Sequence, residues 1–282
     1  MAGKYDKGQV VARLRAEREA GRPVYDALCG TGITAKMAAK GGANLVTTFN
    51  LAHFRMQGLS SMAGYLPIGD ANAITLELGE RSIIAASGDC PVVAGVLGVD
   101  PTRDMRRFVV RLSDAGVDGI MNCPTVALID GKFRSDLEET GLGYAHEVEV
   151  LGYASREKNM FTKAFCTTPD EAVAMAEAGV DNIIAHFGNS SGGTIGSQTV
   201  MRLDQAAERA AAICDALAGG HADRIVTCHG GAIESPEDFA ALWGRETRLD
   251  GYVGGSSAER LPIEDSVPKA ASAFKAARPA GG

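Results

Sequence analysis

The chain has 282 residues, 45% of them hydrophobic and only 6% aromatic, with 35 glycines and a net charge of −7 from 28 basic and 35 acidic side chains. Glycine at this level, with no triplet period and beside that apolar content, excludes a collagen-like or disordered chain. The acidic balance argues against nucleic acid or an anionic membrane as partner, since both need a net positive surface, but leaves room for a local basic pocket.

Residues 1–20 are polar and charged and lack the apolar core of a signal peptide. Val10, Val11 and Leu14 among those charges predict one extra amphipathic helix. No run reaches the roughly 20 apolar residues of a membrane-spanning helix. Beyond residue 20, short apolar runs alternate with longer helical stretches, and the predicted strands are 24–28, 44–49, 92–97, 118–122, 160–166, 182–186, 224–229 and 251–253. Most are nearly continuous apolar runs, as expected of parallel strands covered on both faces. Eight strands with helices between them is the count of an α/β (β/α)8 TIM barrel; a doubly wound open sheet ordinarily uses fewer. Identical Ala-Gly-Val-Asp tetrapeptides at 115–118 and 178–181 read as glycine helix stops running straight into strands. Thr168-Pro169-Asp170-Glu171 and Ser235-Pro236-Glu237-Asp238 read as capped helix starts. One domain is predicted over 1–282, with the extra N-terminal helix at 1–20, the barrel at about 23–275, and long insertions after strands two and four. Six scattered cysteines without a Cys-x-x-Cys pair predict reduced, buried thiols and a cytoplasmic location.

In a barrel, ligands bind at the C-terminal strand ends. Gly30, Thr31 and Gly32 follow strand one, Asn50 follows strand two, Asp100 lies after strand three, and Asn122 closes strand four. The amides near Gly30, with Asn50 and Asn122, are candidates to stabilise an enolate or oxyanion. Gly254-Gly255-Ser256-Ser257, ahead of a short helical stretch, offers amides and two hydroxyls to a phosphate or carboxylate; a tight turn without ligand is the alternative. Arg55 is a candidate clamp for a second acidic group, or else a solvated surface arginine. His186 and His229 end adjacent strands and are candidates for proton transfer, against a purely structural role. Glu147, at the start of the fourth outer helix, is a further acid/base candidate, against a first-turn carboxylate that only favours the helix dipole. Lys163 within strand five is either a Schiff-base former or a partner for a carboxylate. Cys29 and Cys123 stand at strand ends, without a flanking pattern that marks a nucleophile. The glycine-rich run 188–196 lacks a Gly-Lys-Ser/Thr ending and reads as a closing loop or an anion contact.

Several segments carry a family likeness together: Gly30-Thr31-Gly32 with Ala35-Lys36, Phe54-Arg55-Met56, and Leu66-Pro67-Ile68-Gly69-Asp70-Ala71-Asn72-Ala73. To these are added Pro124-Thr125-Val126, Ile129-Asp130-Gly131 with Phe133-Arg134, and Glu138-Glu139-Thr140-Gly141 with Gly143-Tyr144 and Glu147-Val148-Glu149. The last third contributes Gly192-Gly193, Ile195-Gly196, Cys228-His229-Gly230-Gly231, and Ser256-Ser257 followed by Glu259-Arg260-Leu261-Pro262. In these segments the chain resembles the phosphoenolpyruvate hydrolase-like TIM-barrel proteins, also labelled phosphonopyruvate hydrolases or TIM-barrel signal-transduction proteins. The resemblance implies a homo-oligomeric barrel that takes a small anionic metabolite of the phosphoenolpyruvate or phosphonopyruvate kind. It implies a hydrolase or lyase cleaving a C–C or C–P bond in a 2-oxo, β-keto or phosphorylated carboxylate. In some relatives the domain is fused to an ATP-binding domain, which makes such a partner protein, and a metabolite-sensing role, the alternative. Authentic phosphonopyruvate hydrolases hold magnesium with clustered acidic residues. Here Asp100 is the only evident strand-end carboxylate, so Mg2+ stays a possible cofactor and no metal ligands are assigned.

Overall fold

In a computed structural model describing residues 3–279, the chain runs as helices and eight parallel strands in strict alternation. Helix α1 (Lys7–Glu19) starts at a capping box between Asp6 and Gln9 and turns Val10 and Leu14 inward. It is followed by β1 (Val24–Leu28), α2 (Gly32–Lys40) and β2 (Leu45–Thr48). The first long insertion holds α3 (Asn50–Met56), a 3-10 turn at Ser61–Tyr65, α4 (Ala71–Leu78), a π turn at Gly79–Ile83 and α5 (Ile84–Ala86). Then come β3 (Val92–Val96), α6 (Met105–Ala115) and β4 (Gly119–Asn122). The second insertion carries a 3-10 turn at Val126–Leu128, α7 (Gly131–Glu139) and α8 (Tyr144–Glu157). The chain continues with β5 (Phe161–Cys166), α9 (Pro169–Glu177), β6 (Asn182–His186), α10 (Leu203–Ala218), β7 (Ile225–His229), α11 (Pro236–Trp243), β8 (Gly251–Gly254) and α12 (Arg260–Ala276).

Each strand pairs in parallel with the next, and β8 returns to β1 through Val24↔Gly251 and Ala27↔Gly254, so the barrel closes. The observed strands fall within one residue of the predicted ones at either end. Both repeated tetrapeptides do what their spacing suggested. Gly116 and Gly179 take φ of +103° and +92°, a left-handed conformation that other residues rarely adopt, and end α6 and α9 just before a strand. The helical stretch after β8 is not short: α12 runs 17 residues, through Pro268.

Alternation along the strands splits the core in two. Inward-facing Leu28, Leu45, Val93, Met121, Phe161, Phe165, Ile184, Ile225 and Val253 form one apolar cluster inside the barrel, with Val10 and Leu14 of α1 packed into the same cluster. The outward-facing side chains pack beneath the helices in a larger cluster that includes Val96, Ile120, Ala164, Ile183 and Cys228. All six cysteines are free and buried, and burial pushes each thiol up in pKa. Among the described residues no helix is long and apolar enough to cross a membrane.

Candidate active site at the barrel mouth

The inward-facing positions nearest the C-terminal strand ends are Leu28, Phe49, Cys123, Phe165, His186 and His229, and they surround a cavity of about 40 Å3. Arg55, Gly255 and Ser256 complete its wall, Ser61 and Tyr65 reach over it from the first insertion, and Asn189 and Ser190 from the loop after β6.

The parallel register pairs His186 with His229 directly, and the two rings stand 4.9 Å apart between centroids. Phe165 lies edge-on to His186 at 4.5 Å and 5.1 Å from His229. Their backbone partners fix opposite tautomers. The Gly188 amide donates to Nδ1 of His186 at 2.9 Å, so that nitrogen is an acceptor and the ring proton sits on Nε2. Nδ1 of His229 faces the Val253 carbonyl at 2.6 Å, so it must carry the proton and Nε2 keeps its lone pair. Burial disfavours both imidazolium forms: His229 is pushed down to about 4, and His186 lies well below the usual histidine range. Near neutral pH the mouth therefore holds one neutral imidazole that accepts through Nε2 and one that donates. Gly255 keeps the site open, since a Cβ there would stand 3.0 Å from Cε1 of His229 and 3.7 Å from Nη1 of Arg55.

Arg55 is not a surface side chain; it is 4% exposed and held by a partner that lies 204 residues away. Its Nε and Nη2 donate to Glu259 at 2.9 and 2.5 Å, and Nη2 also donates to the Leu28 carbonyl at 2.8 Å. Glu259 further accepts from the Gly30 amide at 2.9 Å and the Thr34 hydroxyl at 2.8 Å. Nη1 is left to face the cavity. The predicted clamp is thus half committed to a carboxylate of the chain itself.

Most of the other candidates fall outside the cavity. Gly30 serves Glu259, Thr31 caps α2 through the Thr34 amide, and Gly32 lies against Ser82. Asn50 donates to the Gly64 carbonyl at 2.9 Å, tying α3 to the 3-10 turn, and its buried Oδ1 has no partner among the described residues. Asn122 faces outward and bridges β4 to β5, accepting from the Phe165 amide and donating to Glu147 at 2.8 Å. Glu147 is fully buried behind this wall and accepts from Thr125, Val126 and Asn122, although burial still lifts it to about 7. Gly254 packs on the Tyr25 ring, and the Ser257 hydroxyl pairs with that of Tyr252. Of the four residues expected to cradle an anion after β8, only Gly255 and Ser256 line the cavity. Lys163 is fully buried inside the barrel, ion-paired with Asp26 and 2.7 Å from the Thr47 hydroxyl, and it does not line the mouth. Cys29 packs on the outer side with Ala35 and Val46, whereas Cys123 does line the cavity. Sequence reasoning misses Phe165, Tyr65 and Glu259 as site residues, and reaches Asn189 only through the glycine-rich run 188–196. Phe165 had a usable signal, since its even spacing from Phe161 puts it on the inner face.

The donors at the mouth do not suit magnesium, which takes oxygen ligands in near-octahedral array. The cavity offers two imidazoles, a thiol, a guanidinium and hydroxyls, while Glu147 and Glu259 are each taken up by three or more donor atoms. Asp100 is engaged by Asn72, Thr102 and Arg103 and is held down to about 2. Among the described residues no group of three His, Cys, Asp or Glu side chains converges on a metal-sized point.

A sequence profile of the family described as phosphoenolpyruvate hydrolase-like matches residues 9–277. The ToMV resistance protein Tm-1(GCR237) of Solanum lycopersicum is 42% identical over 266 residues, which are 94% of this chain and 35% of that protein. The ToMV susceptible protein tm-1(GCR26) of the same species matches to the same extent, so the chain spans about a third of the length of these curated relatives. Among solved structures, the phosphoenolpyruvate phosphomutase of Streptomyces platensis subsp. rosaceus superposes with a TM-score of 0.62 at 19% identity, covering 94% of this chain and 87% of that one. A phosphonopyruvate hydrolase in complex with oxalate and Mg++ gives a TM-score of 0.62 at 16% identity, with the same coverage. At such identities the likeness is one of fold.

Proposed function

Since the chain belongs to the phosphoenolpyruvate hydrolase-like family, we propose that it is a hydrolase or lyase cleaving a C–C or C–P bond in a small 2-oxo carboxylate at the barrel mouth. The observation that carries this reading is the imidazole pair of fixed and opposite tautomers beside a free guanidinium nitrogen. Nη1 of Arg55 receives the carboxylate. Nε2 of His229 takes a proton from a substrate hydroxyl or an attacking water. The C–C or C–P bond on the carbon next to the carbonyl then breaks, its electron pair passing into an enolate while the departing carbon or phosphorus keeps the oxygen that lost its proton, and the Nε2–H of His186 donates a hydrogen bond to the enolate oxygen. His229 returns its proton to the enolate carbon, which restores both tautomers. No step passes through a metal ion, because the residues present do not fit one. The phenyl ring of Phe165, Tyr65 and the loop around Ser190 limit water at the reacting carbon.

Turnover of a panel of 2-oxo acids by the pure protein tests the proposal. His229→Ala is expected to lower kcat by about 10²–10⁴-fold, the usual contribution of a positioned base, and His186→Ala to lower it through the lost donor. Undiminished turnover in both variants would remove the imidazole pair from the mechanism. Because His229 works in its neutral form and its pKa is depressed to about 4, the acid limb of kcat/KM should lie near pH 4 rather than 6.5. A limb at pH 6–7 that vanishes in His229→Ala would contradict the buried, neutral imidazole.

A second reading is favoured by the extra length of the relatives: a metabolite-sensing subunit working with an ATP-binding partner. A small acid that raises Tm without turning over would support it.

A further inference from the structure

A second void of about 190 Å3 adjoins the mouth cavity, and the two share Ser61, Asn189, Ser190 and Ser256. Ser60, Ser197 and Arg260 complete the polar part of its lining. Five side chains there, those of Ser61, Asn189, Ser190, Ser197 and Ser256, make no hydrogen bond to any described residue. Uncommitted hydroxyls and a carboxamide, gathered from the first insertion, the loop after β6 and the end of β8, thus face one volume.

Two physical features narrow what fits. A serine hydroxyl both donates and accepts, so the natural complement of a serine lining is a group that does both. The cationic donors are also mostly committed. Arg260 pairs with Glu264 at 2.9 Å and gives its other terminal nitrogen to the Gly192 carbonyl at 2.9 Å. Arg55 pairs with Glu259 at 2.5 Å, and Glu234 adds a further carboxylate beside Ser191. Nη1 of Arg55 serves one carboxylate; among the described residues no second uncommitted guanidinium lines either void to take a phosphate dianion, which is best held by charge-assisted pairs.

We infer that the substrate is a hydroxylated 2-oxo carboxylate, with its acid end at Arg55, its carbonyl between the two imidazoles, and an uncharged polyol tail in the serine-lined vestibule. This rests on the mouth being the active site, as proposed above. Of the 2-oxo, β-keto and phosphorylated acids expected from the sequence, it favours the first, as a longer and singly charged one.

Calorimetric titration of the full chain with pyruvate, phosphoenolpyruvate and 2-keto-3-deoxygluconate, a six-carbon hydroxylated 2-oxo acid, separates the outcomes. The hydroxylated acid should bind at least about tenfold more tightly than pyruvate, the gain of one or two neutral hydrogen bonds. Ser197→Ala, at a position that lines the vestibule and not the mouth, should weaken that acid about fivefold and leave pyruvate unchanged. Ser197→Leu, which fills the vestibule, should abolish the gain while pyruvate binding reports an intact fold. Equal binding of pyruvate and the hydroxylated acid, or tighter binding of phosphoenolpyruvate, would overturn the inference and leave the mouth reading intact. Failure of all three acids to bind would overturn both.

Discussion

Glu147 shows how one buried group couples the site wall to pH. Three donors favour its ionised form, yet complete burial outweighs them and lifts the carboxyl to about 7. Its folded pKa lies above the ordinary value of 4.5. Between those two values the folded chain therefore binds more proton than the unfolded one, and stability falls as pH rises from about 4.5 to about 7 and then levels off. Urea unfolding of the wild type and of Glu147→Gln from pH 4.5 to 8 should show a difference that changes across this window by up to roughly 3 kcal/mol. A constant difference would mean that Glu147 is charged throughout. Glu147→Ala should cost about 1–3 kcal/mol by stranding the Val126 amide and Asn122. The sequence puts His186 and His229 at strand ends and Glu147 at the start of an outer helix, where they are. It did not show which of them face the cavity, because that depends on partners remote in the chain. Glu259 meets Arg55 across 204 residues, and the Val253 carbonyl sets the tautomer of His229 from the neighbouring strand. Neither leaves a spacing pattern to read.

At the scale of elements, the barrel closes where β1 and β8 approach backbone to backbone. A Cβ on Gly251 would stand 1.9 Å from the Val24 carbonyl oxygen, so Gly251→Ala must part the two strands. A loss of about 1–3 kcal/mol or more is expected by thermal or urea unfolding, as for other overpacked sites. Gly219, at the end of α10, has φ −72°, and a methyl group added there would meet no described atom within 4 Å, so Gly219→Ala should instead stabilise by about 0.4–1 kcal/mol. Equal effects of the two changes would show that close strand approach is not what selects glycine at 251. The strands were legible because parallel strands covered on both faces leave dense apolar runs bounded by glycine and helix caps. The insides of the two insertions were not. The π turn at Gly79–Ile83 and the 3-10 turns differ from an α-helix in hydrogen-bond register, which apolar spacing over five residues does not report. The length of α12 was also hidden, since Pro268 inside it reads as a break although the helix continues.

At the scale of the molecule, the eighth outer helix is out of place. Helix α12 buries only Arg260, its first residue, and its apolar stripe of Ile263, Val267, Ala270 and Phe274 recurs at helical spacing on an open face, with Phe274 84% exposed. In a closed (β/α)8 barrel the helix after β8 ordinarily packs on the outer ring beside the helix after β1. Here that first-ring helix, α2, leaves Ile33 and Met37 uncovered one turn apart, Ile33 at 63%. The apolar stripe on α2 and the matching stripe on α12 are complementary halves, and exchange of α12 between two copies of the chain would cover both. The homo-oligomer that the family resemblance implied thereby acquires a proposed contact. Light scattering after size exclusion should give a dimer or higher assembly for the wild type. Val267→Glu with Phe274→Glu should shift it to monomer, with helix content by circular dichroism nearly unchanged because both positions are exposed in the single chain. Ile33→Glu with Met37→Glu should do the same from the other side of the contact. If the α12 pair dissociates the assembly and the α2 pair does not, the helix docks elsewhere on its neighbour; a wild type that is monomeric at high micromolar concentration would remove the exchange altogether.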